Sequence, residues 1–97
     1  MYSMGDYRKA FQFGAEAAKR NPQSGRNFYL TGKALAKLDK LDLAAKWLGE
    51  AVTLDPTLSE AHYTYASVLR KLGRNEEARR ELALFQELKT RQPQNRR

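Results

Sequence analysis

Apolar positions recur three and four residues apart along the chain, and no stretch sustains the alternation of a β-strand. The first run, Tyr7, Ala10, Phe11, Gly14, Ala17 and Ala18, predicts a helix over 6–20. It stops at Asn21-Pro22, because proline disfavours helical geometry in the residue before it. Phe28, Thr31, Gly32, Leu35 and Leu38 predict a second helix over 26–38, with Ser24 as its N-cap. Gly32 in mid-helix costs about 1 kcal/mol relative to alanine, a cost accepted where a neighbouring helix comes close. A tight turn at Asp39-Lys40 leads to a third helix over 42–54, with a stripe of Ala44, Ala45, Leu48, Ala51 and Val52 and Trp47 beside it. Asp55-Pro56 ends that helix. Thr57 and Glu60 have capping-box spacing for a fourth helix over 58–72, which buries Ala61, His62, Tyr65, Ala66, Val68, Leu69 and Leu72. Gly73 stands where a left-handed cap residue belongs. Asn75 can cap a fifth helix over 76–91, striped by Ala78, Leu82, Phe85 and Leu88, before Pro93 and the tail QPQNRR end the order.

The pattern repeats. Ala10, Ala44 and Ala78 stand 34 residues apart, and the same shift lays Pro22 on Pro56, Gly14 on Leu48 and Leu82, and Ala17 on Ala51 and Phe85. A fixed interval of this length marks a stacked helical array. The chain resembles the tetratricopeptide repeat, whose pattern is W-x2-L-G-x2-Y, then A-x3-F, then P. In residues 25–58, Phe28 takes the Trp slot, Thr31 the Leu, Gly32 the Gly and Leu35 the Tyr; Ala44 and Leu48 form the A-x3-F pair, and Pro56 closes. In residues 59–92 the slots hold His62, Tyr65, Ala66, Leu69, Ala78 and Leu82, with Thr90 at the closing position and Pro93 arriving late. The resemblance implies an all-α fold, a right-handed superhelix of antiparallel helix hairpins forming a TPR-like α-solenoid. It divides the chain into a domain over 1–92 and a polar tail over 93–97. Within the domain, 5–24 is the second helix of a truncated repeat, 25–58 a full repeat, and 59–92 a full repeat serving as C-terminal cap.

A solenoid repeat touches only its neighbours, so Ala45, Trp47 and Val52 are expected on the helix that follows them. Thirty-four residues on, those slots hold the polar Arg79, Glu81 and Gln86, as suits a capping helix; 34 residues back, they hold the apolar Phe11, Phe13 and Ala18. The chain is therefore expected to be the C-terminal piece of a longer repeat protein. Its open N-terminal end, through Phe11 and Phe13, is expected to drive self-association or helix exchange.

Composition narrows the chemistry. Ninety-seven residues make one domain at most, and the absence of cysteine excludes disulfides, thiolate metal sites and cysteine nucleophiles. The opening MYSMGDYRKAF lacks the apolar core of a signal peptide, which favours the cytoplasm. No stretch approaches the roughly 20 apolar residues of a membrane span, so no membrane partner is expected. A net charge of +7 favours acidic partners, although the charges are spread as on solvated helix faces and only Arg91, Arg96 and Arg97 cluster. No catalytic constellation, metal-ligand spacing or Gly-rich phosphate loop is present, so no enzyme activity, metal or cofactor is expected. His62, on an apolar stripe, reads as a packing histidine between helices or as a pH-sensitive contact. Trp47, Phe11 and Phe13 read as core packing more simply than as an aromatic patch.

The resemblance also implies a working surface: a concave groove, lined by the first helix of each repeat, that holds an extended peptide or a partner's helix. The residues in those slots are Arg26, Tyr29, Lys33 and Lys37, then Glu60, Tyr63, Ser67, Arg70 and Lys71. Tyrosine and arginine are enriched at binding hot spots. The Lys/Asn and Lys/Arg clamp with which family members grip acidic chaperone tails is not reproduced; Tyr29 with Lys33 and Tyr63 with Ser67 stand in its place. The expected function is a non-enzymatic scaffold that binds an acidic peptide or protein in this groove. The alternatives are binding of nucleic-acid phosphates by the basic surface and self-assembly through the open end.

Overall fold

The computed structural model describes residues 3–91, which form five helices: α1 (Met4–Arg20), α2 (Gly25–Lys37), α3 (Leu41–Leu54), α4 (Ser59–Lys71) and α5 (Asn75–Arg91). No strand occurs among the described residues. Pro93, Arg96 and Arg97 lie outside them.

The interval seen in the sequence is present in the backbone. Asn21 and Asp55, at the ends of α1 and α3, share nearly the same conformation (φ −133°, ψ 80° and φ −140°, ψ 87°), and each donates its N–H to a carbonyl one turn back, Ala17 or Ala51. Leu38 and Leu72, after α2 and α4, match equally well, and each is followed by a left-handed residue, Asp39 at φ 64° and Gly73 at φ 81°. Lys40 and Arg74 then donate to the carbonyls of Leu35 and Leu69 at 2.9 and 2.8 Å, closing both helix ends in the same way. Asp39 adopts a conformation that costs a side chain with a Cβ. Asp39→Gly, which makes this turn match Gly73, is expected to raise stability by about 0.5–1 kcal/mol, seen as a higher urea midpoint.

Helix starts differ more from expectation. Ser3 and Asp6 form a reciprocal capping box that begins α1 at Met4, ahead of the apolar pattern. Ser24 caps α2 as expected, accepting from the Asn27 N–H at 3.2 Å. Thr57 and Glu60 do not form their box. The Thr57 N–H and hydroxyl donate instead to Asp55 Oδ1 at 3.1 and 2.6 Å, an Asx turn that leaves Leu58 before α4 with no side-chain cap. Asn75 lies inside α5 rather than before it. Arg74 precedes it and donates two hydrogen bonds to Glu77, at 2.7 and 3.0 Å, which hold that exposed carboxyl below the usual carboxylate range.

Each helix packs on its chain neighbours, and α2 also meets α4 directly. The core joins Tyr29 and Leu35 of α2, Ala44, Ala45, Leu48 and Ala51 of α3, and Ala61 and Val68 of α4. Small residues set the spacing. A Cβ on Gly32 would lie 2.7 Å from Leu48 Cγ and 3.2 Å from the Leu48 backbone nitrogen, so α3 is the close neighbour that its glycine admits. Gly14 likewise lets α1 approach α2, where a Cβ would lie 3.3 Å from Thr31 Cα. Ala44 and Ala78 are buried at equivalent crossings, whereas Ala10 is exposed. Ala44 has α2 against it; Ala10 faces the side of α1 on which no helix is packed.

Candidate functional site: the first-helix face of the repeats

Arg26, Lys33 and Lys37 on α2, and Arg70 and Lys71 on α4, are exposed, with Ser67 half-buried between Tyr63 and Arg70. α2 and α4 meet directly, and the positions of Lys33 and Lys37 recur one interval on as Ser67 and Lys71. Among the described residues none of the five cations is in an ion pair, while Arg74, Arg79 and Arg91 are held by Glu77, Glu76 and Glu87 close by in sequence. Glu60 is the one carboxylate in the groove slots. The surface thus carries uncompensated positive charge.

The two tyrosines separate. Tyr63 is 52% exposed, its ring tilted against Phe85 of α5 with centroids 5.1 Å apart. Lys89 Nζ lies 6.0 Å from that Phe85 ring, so α5 adds an aromatic and a cation beside the site that its core-facing stripe had concealed. Tyr29 departs from expectation: only 6% exposed, it belongs to the core. Its contribution to the surface is to hold Lys33, whose Nζ lies 5.9 Å from the ring centroid.

The remaining expected residues also fall in different places. Trp47 meets Phe28 of α2, the helix before its own, with ring centroids 5.1 Å apart. Phe11 is half-buried against the core, away from the open end, and only Phe13 is exposed, at 74%. Phe13 lines a cleft with Asp6, Tyr7, Lys9 and Ala10 of α1 and Leu30, Lys33, Ala34 and Lys37 of α2.

His62 is buried, as a packing histidine is, but its contacts are polar. Its Nε2 donates to the Pro56 carbonyl at 2.8 Å, and Nδ1 lies 2.6 Å from Glu81 Oε1, which requires a proton between them. Phe28 and Trp47 become His62 and Glu81 after one repeat interval, so an apolar pair and a polar pair fill the same crossing. His62→Phe strands a largely buried carboxylate and is expected to cost about 2 kcal/mol. His62→Phe with Glu81→Trp, which copies the middle repeat, is expected to recover most of that loss in urea melts. Full additivity of the two single changes would contradict the equivalence of the crossings.

Among the described residues, no three His, Asp or Glu side chains gather where they could hold a metal ion, and no helix is long and apolar enough to cross a membrane.

Comparison with known proteins agrees with this geometry. Tetratricopeptide repeat models match residues 25–58 and residues 47–80. The TPR repeat-containing thioredoxin TTL4 of Arabidopsis thaliana is 34% identical over 84 residues, covering 87% of this chain; the chain spans 12% of that relative's length. The second TPR of Spaghetti (RPAP3), bound to the HSP90 peptide SRMEEVD, superposes with a TM-score of 0.82 at 21% identity, over 87% of this chain and 78% of that one. The Yersinia enterocolitica type III secretion translocator chaperone SycD gives 0.83 at 24% identity, over 93% and 68%. MamA of MSR-1 gives 0.78 at 27% identity, over 88% and 49%. The paired helices, their recurrence at one interval and these matches make one conclusion: the chain belongs to the tetratricopeptide repeat family.

Proposed function

We propose that this chain is a non-catalytic protein-interaction scaffold, and that the exposed face of α2 and α4 binds an acidic peptide or an acidic segment of a partner protein. The observation that carries this reading is that Arg26, Lys33 and Lys37 on α2 and Arg70 and Lys71 on α4 are exposed and outside any ion pair, with Tyr63 exposed on α4. Unpaired cations on a fixed helical face attract carboxylates from solution, and an aromatic ring beside them gives apolar contact and hot-spot geometry. A fold neighbour holding the acidic peptide SRMEEVD supports a peptide as the kind of occupant. Tyr29 with Lys33 and Tyr63 with Ser67 provide a different set of donors from a chaperone-tail clamp, so a different acidic sequence is the expected ligand.

Selection of a displayed random peptide library on the full chain tests this. Enrichment of Asp- and Glu-rich peptides is expected, with their binding lost on a triple change at Lys33, Tyr63 and Lys71. Peptides without acidic bias would overturn it. So would saturable binding of random duplex DNA that falls steeply with salt, since that is the mark of phosphate-backbone recognition.

A further inference from the structure

One cleft differs in charge from its own copy at the next interval. Phe11 of α1, Leu35 and Leu38 at the end of α2, and Leu43 of α3 floor a cleft of ≈ 460 Å³, with Arg8 and Lys40 at its margin. No carboxylate lines it, and neither cation is in an ion pair among the described residues. One interval on, Arg8, Lys40 and Leu43 become Asp42, Arg74 and Glu77. There Arg74 is held by Glu77 at 2.7 Å, with Asp42 near enough to act on it as a second negative charge. Counting Lys46, which repeats Gln12, the copy carries two charges of each sign; the cleft carries two positive charges and no negative one. The copy has a first helix, α2, packed on the helix that carries it, yet Asp42, Lys46 and Arg74 remain exposed. A first helix ahead of α1 therefore leaves this side of α1 open, unlike the Phe13 side.

We propose that this cleft binds a small amphipathic carboxylate, its apolar body on Phe11, Leu35, Leu38 and Leu43 and its charged end held by Arg8 and Lys40. The site shares no residue with the peptide face. Its volume falls within the roughly 300–1,000 Å³ of small-molecule sites, and an apolar floor with a few polar groups at its margin is their usual lining. The ligand's carboxylate supplies the negative charge that Asp42 and Glu77 supply to the copy. Its tail covers Leu43, which is 47% exposed where the copy has Glu77. The planar guanidinium of Arg8 offers a carboxylate two parallel N–H donors. An alcohol of the same length leaves both cations without a partner, and an amine adds a third positive charge, so charge complementarity selects the carboxylate. A second copy of this chain, with a net charge of +7, is disfavoured as the occupant on the same ground.

The probe is decanoate, titrated into the full chain at low salt and below the concentration at which it forms micelles. Saturable binding is expected, with shifts in the methyl signals of Leu38 and Leu43. Decanol and decylamine, which lack the carboxylate, and acetate, which lacks the tail, are each expected to bind weaker by about tenfold or more. Arg8→Asp, and separately Leu43→Glu, write the copy's residues into the cleft at exposed positions. Each is expected to weaken decanoate about tenfold or more with helix content unchanged. Tyr63→Ala with Lys71→Ala is expected to leave decanoate binding unchanged while impairing the peptide face, so the two proposals fail separately. Absence of saturable binding, equal binding of decylamine, or decanoate affinity that survives both cleft changes would overturn the assignment. Anionic vesicles that bind the chain through Arg8 when decanoate does not would also overturn it, because the cleft would then serve a lipid surface.

Discussion

Leu48→Ala is expected to destabilise the fold by about 3–5 kcal/mol, the upper range for a buried leucine whose site cannot collapse. Leu48 is fully buried and lies directly beneath Gly32, with its own backbone nitrogen close to the facing helix. Its neighbours include Ala44, Ala45, Ala51 and Ala61, which have no side-chain length with which to fill a void. A domain of this size holds about 5–15 kcal/mol in total, so the change removes a large share of it. Urea unfolding is expected to show a much lower midpoint with an unchanged slope. Leu43→Ala is the control: Leu43, on the same helix, is 47% exposed at the edge of a cleft with Phe11 and Leu35, and its loss is expected to matter by about 1 kcal/mol. Similar effects at the two leucines would contradict the packing described.

Lys33→Glu, Tyr63→Ala and Lys71→Glu together are expected to weaken a selected acidic peptide by about 100-fold or more while leaving helix content intact and lowering the melting temperature only modestly. The two reversals turn attraction into repulsion at both repeats, and the tyrosine change removes the exposed ring. Each position is exposed and outside any ion pair, so the fold loses only the Tyr63–Phe85 ring contact and the Lys33–Tyr29 cation–π contact, about 1–2 kcal/mol together. Tyr29 is left in place because truncating a core tyrosine would confuse loss of fold with loss of site. The remaining affinity of the parent chain is expected to fall with added salt, as exposed charges are screened. Binding of the triple variant equal to the parent would move the site off this face.

What the sequence made legible follows from the strength of each signal. The five helices rest on long apolar stripes and on Asn21-Pro22, Asp55-Pro56 and Gly73, all of which act locally, and their limits agree with the structure to within two residues. The close approach at Gly32 was readable because glycine in a helix calls for a packing reason. The helix starts were less so, because Thr57 had two ways to satisfy a hydroxyl and Asp55 was the nearer acceptor. Side-chain direction was the weakest signal. Trp47 turns toward Phe28 of the preceding helix, and Tyr29 toward the core rather than the solvent. In both cases the residue type fits either side of its helix and only the packed neighbours decide. The role of Glu81 was hidden because a polar slot on the last helix reads as solvated, whereas here it faces a buried imidazole.

The most direct test is an NMR titration of the full chain with a selected acidic peptide. Shift changes are expected at Arg26, Lys33, Lys37, Tyr63, Ser67, Arg70 and Lys71, with the outer residues of α3, Leu43, Lys46 and Glu50, unmoved. Changes concentrated on those α3 residues, with α2 and α4 silent, would contradict the assignment of this face as the binding surface.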